Sequence, residues 1–189
     1  MFNFARATGL GAVAALSLGI SAATSEAATV YATSVDNYTQ GTGVKAPRDV
    51  TNNALGAPDG SFLSLGLGGS AVFSFGALFQ TPGVLYEVTY NIGKKGAHVE
   101  TADLYAGIGG VFTYIGSILN TDAQAGAAFT FGGFFDQLMI VDTSSKPQSV
   151  DGFDIDAVGV TPAPVPLPAG GLLLLSALGA AAAVRRRKA

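Results

Sequence analysis

The sequence predicts an all-β fold, a jelly-roll-like β-sandwich set between an N-terminal signal peptide and a single C-terminal transmembrane helix. Three observations predict it. Short runs of β-branched and aromatic residues alternate with glycines and other turn residues, and no stretch of the body keeps a 3.6-residue period. A cation followed by a short apolar segment opens the chain. A second apolar segment, followed directly by four cations, closes it. The chain divides accordingly into signal peptide (1–27), β-sandwich domain (28–160), proline-rich linker with a sorting motif (161–169), transmembrane helix (170–184) and basic cytoplasmic tail (185–189).

The signal peptide rests on Arg6, the apolar run 9–20 and the small-x-small site Ser25-Glu26-Ala27. Cleavage is expected after Ala27, with Ala23 as the second choice. The remaining body is one domain's worth of chain. It contains no cysteine, which excludes disulfides, thiolate metal sites and a cysteine nucleophile. Between residues 28 and 164, five cations stand against twelve acids, a balance of -7. Such a surface repels nucleic acid, and repels anionic polymers unless cations intervene.

Strands are expected over 29–34, 70–75, 85–91, 99–106, 111–118, 127–131, 135–142 and 153–160. Segment 35–58 is polar and turn-rich. It leads into Pro58-Asp59-Gly60, in which Pro fixes φ, Asp accepts backbone hydrogens and Gly takes positive φ. Tyr86, Val88 and Tyr90 alternate with Glu87 and Thr89. Gly107-Ile108-Gly109-Gly110 reads as a hairpin turn. Leu138-Met139-Ile140-Val141 is apolar on both faces, as in a covered central strand. Eight or so short strands suit a jelly roll.

The order of these pieces resembles the galactose-binding-like (discoidin-type) jelly rolls of bacterial surface proteins. They are the ALGAPDG turn, the Gly69–Phe75 strand (GSAVFSF), the hairpin, the 138–143 strand and the 151–158 segment DGFDIDAV. The resemblance implies a non-catalytic domain that binds glycans or other surface ligands and often holds a structural calcium.

The residues themselves offer one candidate site. Asp154 and Asp156 share a strand face, with Asp151 just before them. Two carboxylates so spaced repel unless a cation or hydrogen bonds lie between them. Calcium takes several hard oxygens, and Asn52, Asn53 and Asp59 supply more if their loop folds beside the strand. The alternative is a solvated strand face with turn-stabilising Asp and Asn side chains. His98, the sole histidine, follows Lys94-Lys95-Gly96 in an expected exposed loop. It has no neighbouring G-x-S-x-G pattern, so no catalytic role is assigned. The tyrosines are expected at core edges, and the absence of tryptophan weakens a sugar-stacking platform.

At the C-terminus, residues 167–184 carry no charge and would span roughly 25–27 Å as a helix, short but workable for a bilayer. Arg185, Arg186, Arg187 and Lys188 should stay cytoplasmic. Pro162, Pro164, Pro166 and Pro168 deny the helix an earlier start. Val165, Pro166, Leu167, Pro168 and Ala169, the apolar span and the basic end together resemble the PEP-CTERM class of sorting signals in its VPLPA variant. Leu167 stands where the parent Pro-Glu-Pro form has Glu. The resemblance implies an exosortase-type sorting enzyme as partner, passage through the inner membrane, a transient anchor there with the body in the periplasm, and a destination at the cell surface or beyond. The expected function is therefore that of an exported surface or matrix protein, not an enzyme, whose body binds exopolysaccharide with help from calcium. A purely structural or adhesive module binding protein partners is the alternative. An envelope hydrolase has no constellation to support it.

Overall fold

The computed structural model describes residues 28–89, 98–146, 149–164 and 169–187. The signal segment, Val165–Pro168 of the motif and Lys188 lie outside them. The described body is built almost wholly of antiparallel strands, consistent with a β-sandwich. These are β1 (Val30–Tyr31), β2 (Ser34–Thr39), β3 (Leu63–Ser64), β4 (Ser70–Glu87), β5 (Thr101–Ile108), β6 (Val111–Leu119), β7 (Ala127–Phe129), β8 (Phe135–Asp142) and β9 (Asp154–Pro162). One helical turn, α1 (Asn120–Ala123), links β6 to β7.

Residues 90 and 91 lie outside the described residues. The expected strand 70–75 and the start of the expected strand 85–91, as far as Glu87, are parts of one 18-residue strand, β4. Straight, it would run about 60 Å, longer than a domain of this size is wide. It therefore bends. Its register shifts between Ser74 and Phe79, around the left-handed Gly76, and again between Gln80 and Gly83, around Pro82. Ser70–Ser74 pairs with β2 on one edge and β8 on the other. Gly83–Leu85 pairs with β7 on one edge and β9 on the other. β4 thus belongs to both layers. One runs β2-β4-β8-β5-β6, and the other places β1 and β3 along the free edge of β9. Phe73, Phe79, Leu104, Leu138, Ile140, Phe153 and Ile155 fill the core, each at most 1% exposed.

The expected first strand over 29–34 breaks at Ala32, and segment 35–58, expected as turns, begins with most of β2. Polar alternation in Ser34–Thr39 hid a strand whose outer face is wet. The hairpin is as expected and tighter, with Gly109 and Gly110 both at positive φ, the two-residue turn that matches strand twist. β8 is covered mainly on one face: Leu138 and Ile140 are buried, while Met139 and Val141 are only half-buried. β9 continues to Pro162, two residues past the expected end of the domain.

At the C-terminus, α2 (Ala169–Arg187) ends in Arg185, Arg186 and Arg187. Among the described residues no helix is long and apolar enough to cross a membrane. The uncharged part of α2 covers about 24 Å, short of a hydrocarbon core of about 30 Å.

Loop packing on β9 is close. Gly152 has φ +76°, and a Cβ there would meet the backbone of Gly66 at 2.5 Å. Gly110 has φ +80° with nothing within 4 Å of a Cβ. Both substitutions to Ala should incur the left-handed penalty of about 1 kcal/mol, and only Gly152→Ala the clash. Urea unfolding is expected to place Gly152→Ala at least about 2 kcal/mol below Gly110→Ala. Equal losses would refute the close approach of the two loops.

Candidate functional site

The sequence marks Asp154 and Asp156 as one face of a strand, and the structure buries both, each 8% exposed. The alternative of a solvated face with turn-stabilising side chains fails in its first half, because β9 is covered on both sides along Asp154–Val160, and holds in its second for Asp156 and Asp59. The two acids then part company. Asp156 accepts from the backbone N–H groups of Asp59 (3.0 Å) and Gly60 (3.1 Å), so its carboxylate fastens the Pro58-Asp59-Gly60 turn onto β9. The Asp59 carboxylate accepts from the Ser61 amide within that turn. Asn53 donates to the Phe62 carbonyl, and Asn52 lies in the 3-10 turn Thr51–Ala54. The expected loop therefore folds beside the strand, and its contact with Asp156 is a turn clasp.

Asp151 and Asp154 instead line a cavity of about 780 Å³ at the end of β4. Its wall includes Lys45, Arg48, Phe62, Thr89, His98 and Glu100. Arg48 comes from the loop before β3. It donates to Asp151 across 103 positions of chain and lies 5.5 Å over the Phe62 ring. Val88 continues the ladder beyond β4 by donating to the Asp154 carbonyl, which brings Glu87 and Thr89 under the cavity. Asn120, wholly buried at the start of α1, fixes the far wall. Its side chain donates to the His98 carbonyl at 3.0 Å and accepts from the Glu100 amide at 3.2 Å. Ser149 donates to Glu100 at 2.7 Å and accepts from the Gly152 amide.

Four carboxyl groups meet here with little water. Burial pushes the Glu87 carboxyl up to about 9, against the Thr89 hydroxyl that donates to it and with the Glu100 and Asp154 charges adding to the rise. Burial likewise pushes Asp154 up to about 7, reinforced by Glu100 and Asp151 and opposed by Ser64 and Arg48. Glu100 is raised by burial, with the Ser149 hydroxyl pulling the other way. Glu87 Oε1 and Asp154 Oδ1 are buried without a hydrogen-bond partner. Ligand atoms of His98, Glu100 and Asp151 lie within 4.8 Å of one another, the group of this kind found among the described residues.

Of the residues singled out by sequence, Asp151 and Asp154 reach this cavity, whereas Asp156 and Asp59 are engaged in the turn clasp. Arg48, Phe62, Glu87 and Glu100 were missed, and His98, expected in an exposed loop, is a half-buried wall residue. The missed signal was an acid within each of two strand-like stretches, Glu87 and Glu100.

No protein-family model matches the chain, and no curated protein matches it in sequence. Solved structures do resemble its fold. The C-terminal domain of a chitobiase from Bacteroides fragilis superposes with TM-score 0.52 and 12% identity, covering 73% of this chain and 99% of that one. The family 32 carbohydrate-binding module of C. perfringens NanJ, solved in complex with galactose, gives TM-score 0.50 and 14% identity, covering 70% and 98%. At such identities the likeness shows the fold alone, and at that level the expectation of a jelly-roll-like β-sandwich is met.

Raised carboxyl pKa values have a definite sign. Between the ordinary value of 4.5 and about 9, folded Glu87 holds a proton that the unfolded chain has released. Its contribution is full below the lower value and is lost as pH rises through the upper one. In EDTA, Glu87→Gln, a mimic of the protonated acid, should gain melting temperature over wild type between pH 5 and pH 9. A difference that stays flat over that range would show Glu87 to be ionised throughout.

Proposed function

We propose that this chain is an exported surface or matrix protein whose β-sandwich is a non-catalytic carbohydrate-binding module, with exopolysaccharide as its ligand. The observation that carries the reading is the cavity at the end of β4. Sugars present many hydroxyls, each able to donate and accept, around a ring with apolar faces. Arg48 supplies donors, Glu100, Asp151 and Asp154 supply acceptors, and Phe62 supplies an apolar wall, all within one concavity. Fold likeness to a carbohydrate-binding module supports the same reading by analogy. Phe62 takes the role that an absent tryptophan would otherwise fill.

Retention of the chain on the host's purified exopolysaccharide, with calcium and then with EDTA, tests the proposal. Binding is expected, and Arg48→Ala and Phe62→Ala should each weaken it by about tenfold or more. Retention that both variants leave intact would move the ligand away from this cavity. No retention in either buffer would favour a structural or protein-binding surface module.

Export and sorting form the second half of the proposal and rest on sequence. A signal peptide over 1–27 delivers the body across the inner membrane. The tail then holds it briefly, with Arg185–Arg187 and Lys188 on the cytoplasmic side, until an exosortase-type enzyme acts at Val165–Ala169. A helix with a short uncharged part suits a temporary anchor. Deleting residues 165–189 should shift the chain from the membrane fraction to the soluble fractions. An unchanged membrane fraction would remove the anchor from the reading.

A further inference from the structure

The same cavity carries a chemistry that stands whether or not a sugar enters it. His98, Glu100 and Asp151 approach from two separate segments: His98 and Glu100 from the stretch before β5, and Asp151 from the loop before β9. Their ligand atoms already lie within 4.8 Å of one another. A second observation is independent of that spacing. Asp154, 8% exposed, lines the same cavity, and its Oδ1 is buried with no hydrogen-bond partner. A carboxylate oxygen left so is rare in folded proteins and marks a missing partner.

We infer that His98, Glu100 and Asp151, with Asp154 as a fourth donor, form a divalent metal site that takes Zn2+ in preference to Ca2+. The donor set decides the class of ion. Imidazole nitrogen suits zinc and its neighbours, whereas calcium draws its ligands from oxygens alone. One nitrogen and three carboxylate oxygens make a four-ligand set of the kind zinc takes. In a tetrahedral site with bonds of about 2.0–2.2 Å, ligand atoms sit about 3.4 Å apart. Closing the His98, Glu100 and Asp151 group from 4.8 Å requires only side-chain rotation by about an ångström, and Asp154, outside that group, completes the set from the same cavity wall.

The surroundings are arranged to orient these donors. Ser149 binds one oxygen of Glu100 and leaves the other. Arg48 binds Oδ2 of Asp151 and leaves Oδ1. Asn120 clamps the main chain on both sides of Val99. Such outer contacts fix ligand orientation in metal sites. Charge points the same way, since three buried acids face one another across the cavity and Arg48 is bonded to only one of them.

The test is calorimetric titration of the full chain, purified in detergent, with Zn2+ alone and with Ca2+ alone, supported by the visible absorption of added Co2+ as a reporter of nitrogen ligation. One Zn2+ per chain is expected, displaced little by excess Ca2+. His98→Ala should weaken Zn2+ by at least tenfold and remove the Co2+ bands while leaving the EDTA melting temperature unchanged. Asp154→Asn should weaken it less, and Asp103→Asn, half-buried on β5 and held by Ser117, should leave it intact. No Zn2+ binding, equal binding by His98→Ala, or binding of Ca2+ alone would each overturn the site. Because the metal is added without polysaccharide, a failed glycan experiment leaves this result untouched.

Discussion

Everything in this body hangs on the bend in β4. A sandwich needs its two layers joined, and here one continuous strand joins them, with β2, β7, β8 and β9 all hydrogen-bonded to it. The bend is placed by Gly76 and by Pro82-Gly83, where the ladder cannot run straight. Phe75 and Phe79 straddle Gly76 with their rings 4.8 Å apart, edge to face, so the bend is filled by the core it creates. Just past the far end of the same strand, Val88 and Thr89 line the cavity, with Glu87 the last residue of the strand before them. The site is thus a consequence of where the second half of β4 points.

The sequence displayed the pieces better than their joins. β5, β6 and β8 are nearly as read, because alternation and the Gly109-Gly110 turn are local signals. The fusion of 70–75 with 85–87 was not legible, since Gly76, Pro82 and Gly83 punctuate a chain in the same way whether they end a strand or bend one. The same limit applied to the site. Asp154 and Asp156 were visible as a pair, but the clasp of Asp156 on the amides of Asp59 and Gly60 depends on a loop returning across 97 positions. Arg48 meets Asp151 across 103. Spacing along a strand shows which side chains share a face. It says nothing of what that face meets.

His98 illustrates the point from the other direction. A histidine after Lys94-Lys95-Gly96 reads as surface. It stands in the wall where Asn120 bonds the main chain on both sides of Val99. The information lay in a buried amide whose partners are twenty or more positions away.

Buried carboxyls are costly, and this domain keeps four of them together at the edge of its core. A protein selected for stability alone would replace Glu87 or Asp154 with apolar residues of similar size, which often leaves stability unchanged or improves it. Two of the four have an oxygen with no partner, so the network is incomplete as it stands, and an incomplete polar network is worse than an apolar core. Local rules are broken in folded proteins mainly where function requires it. Among the described residues, two of the three buried side-chain oxygens without a partner, on Glu87 and Asp154, gather at this cavity, where Thr89, Ser149 and Arg48 hold Glu87, Glu100 and Asp151; the third, Asp136 Oδ1, lies apart on β8. That concentration supports the cavity at the end of β4 as the proposed working site, and the support comes from the energetics of burial.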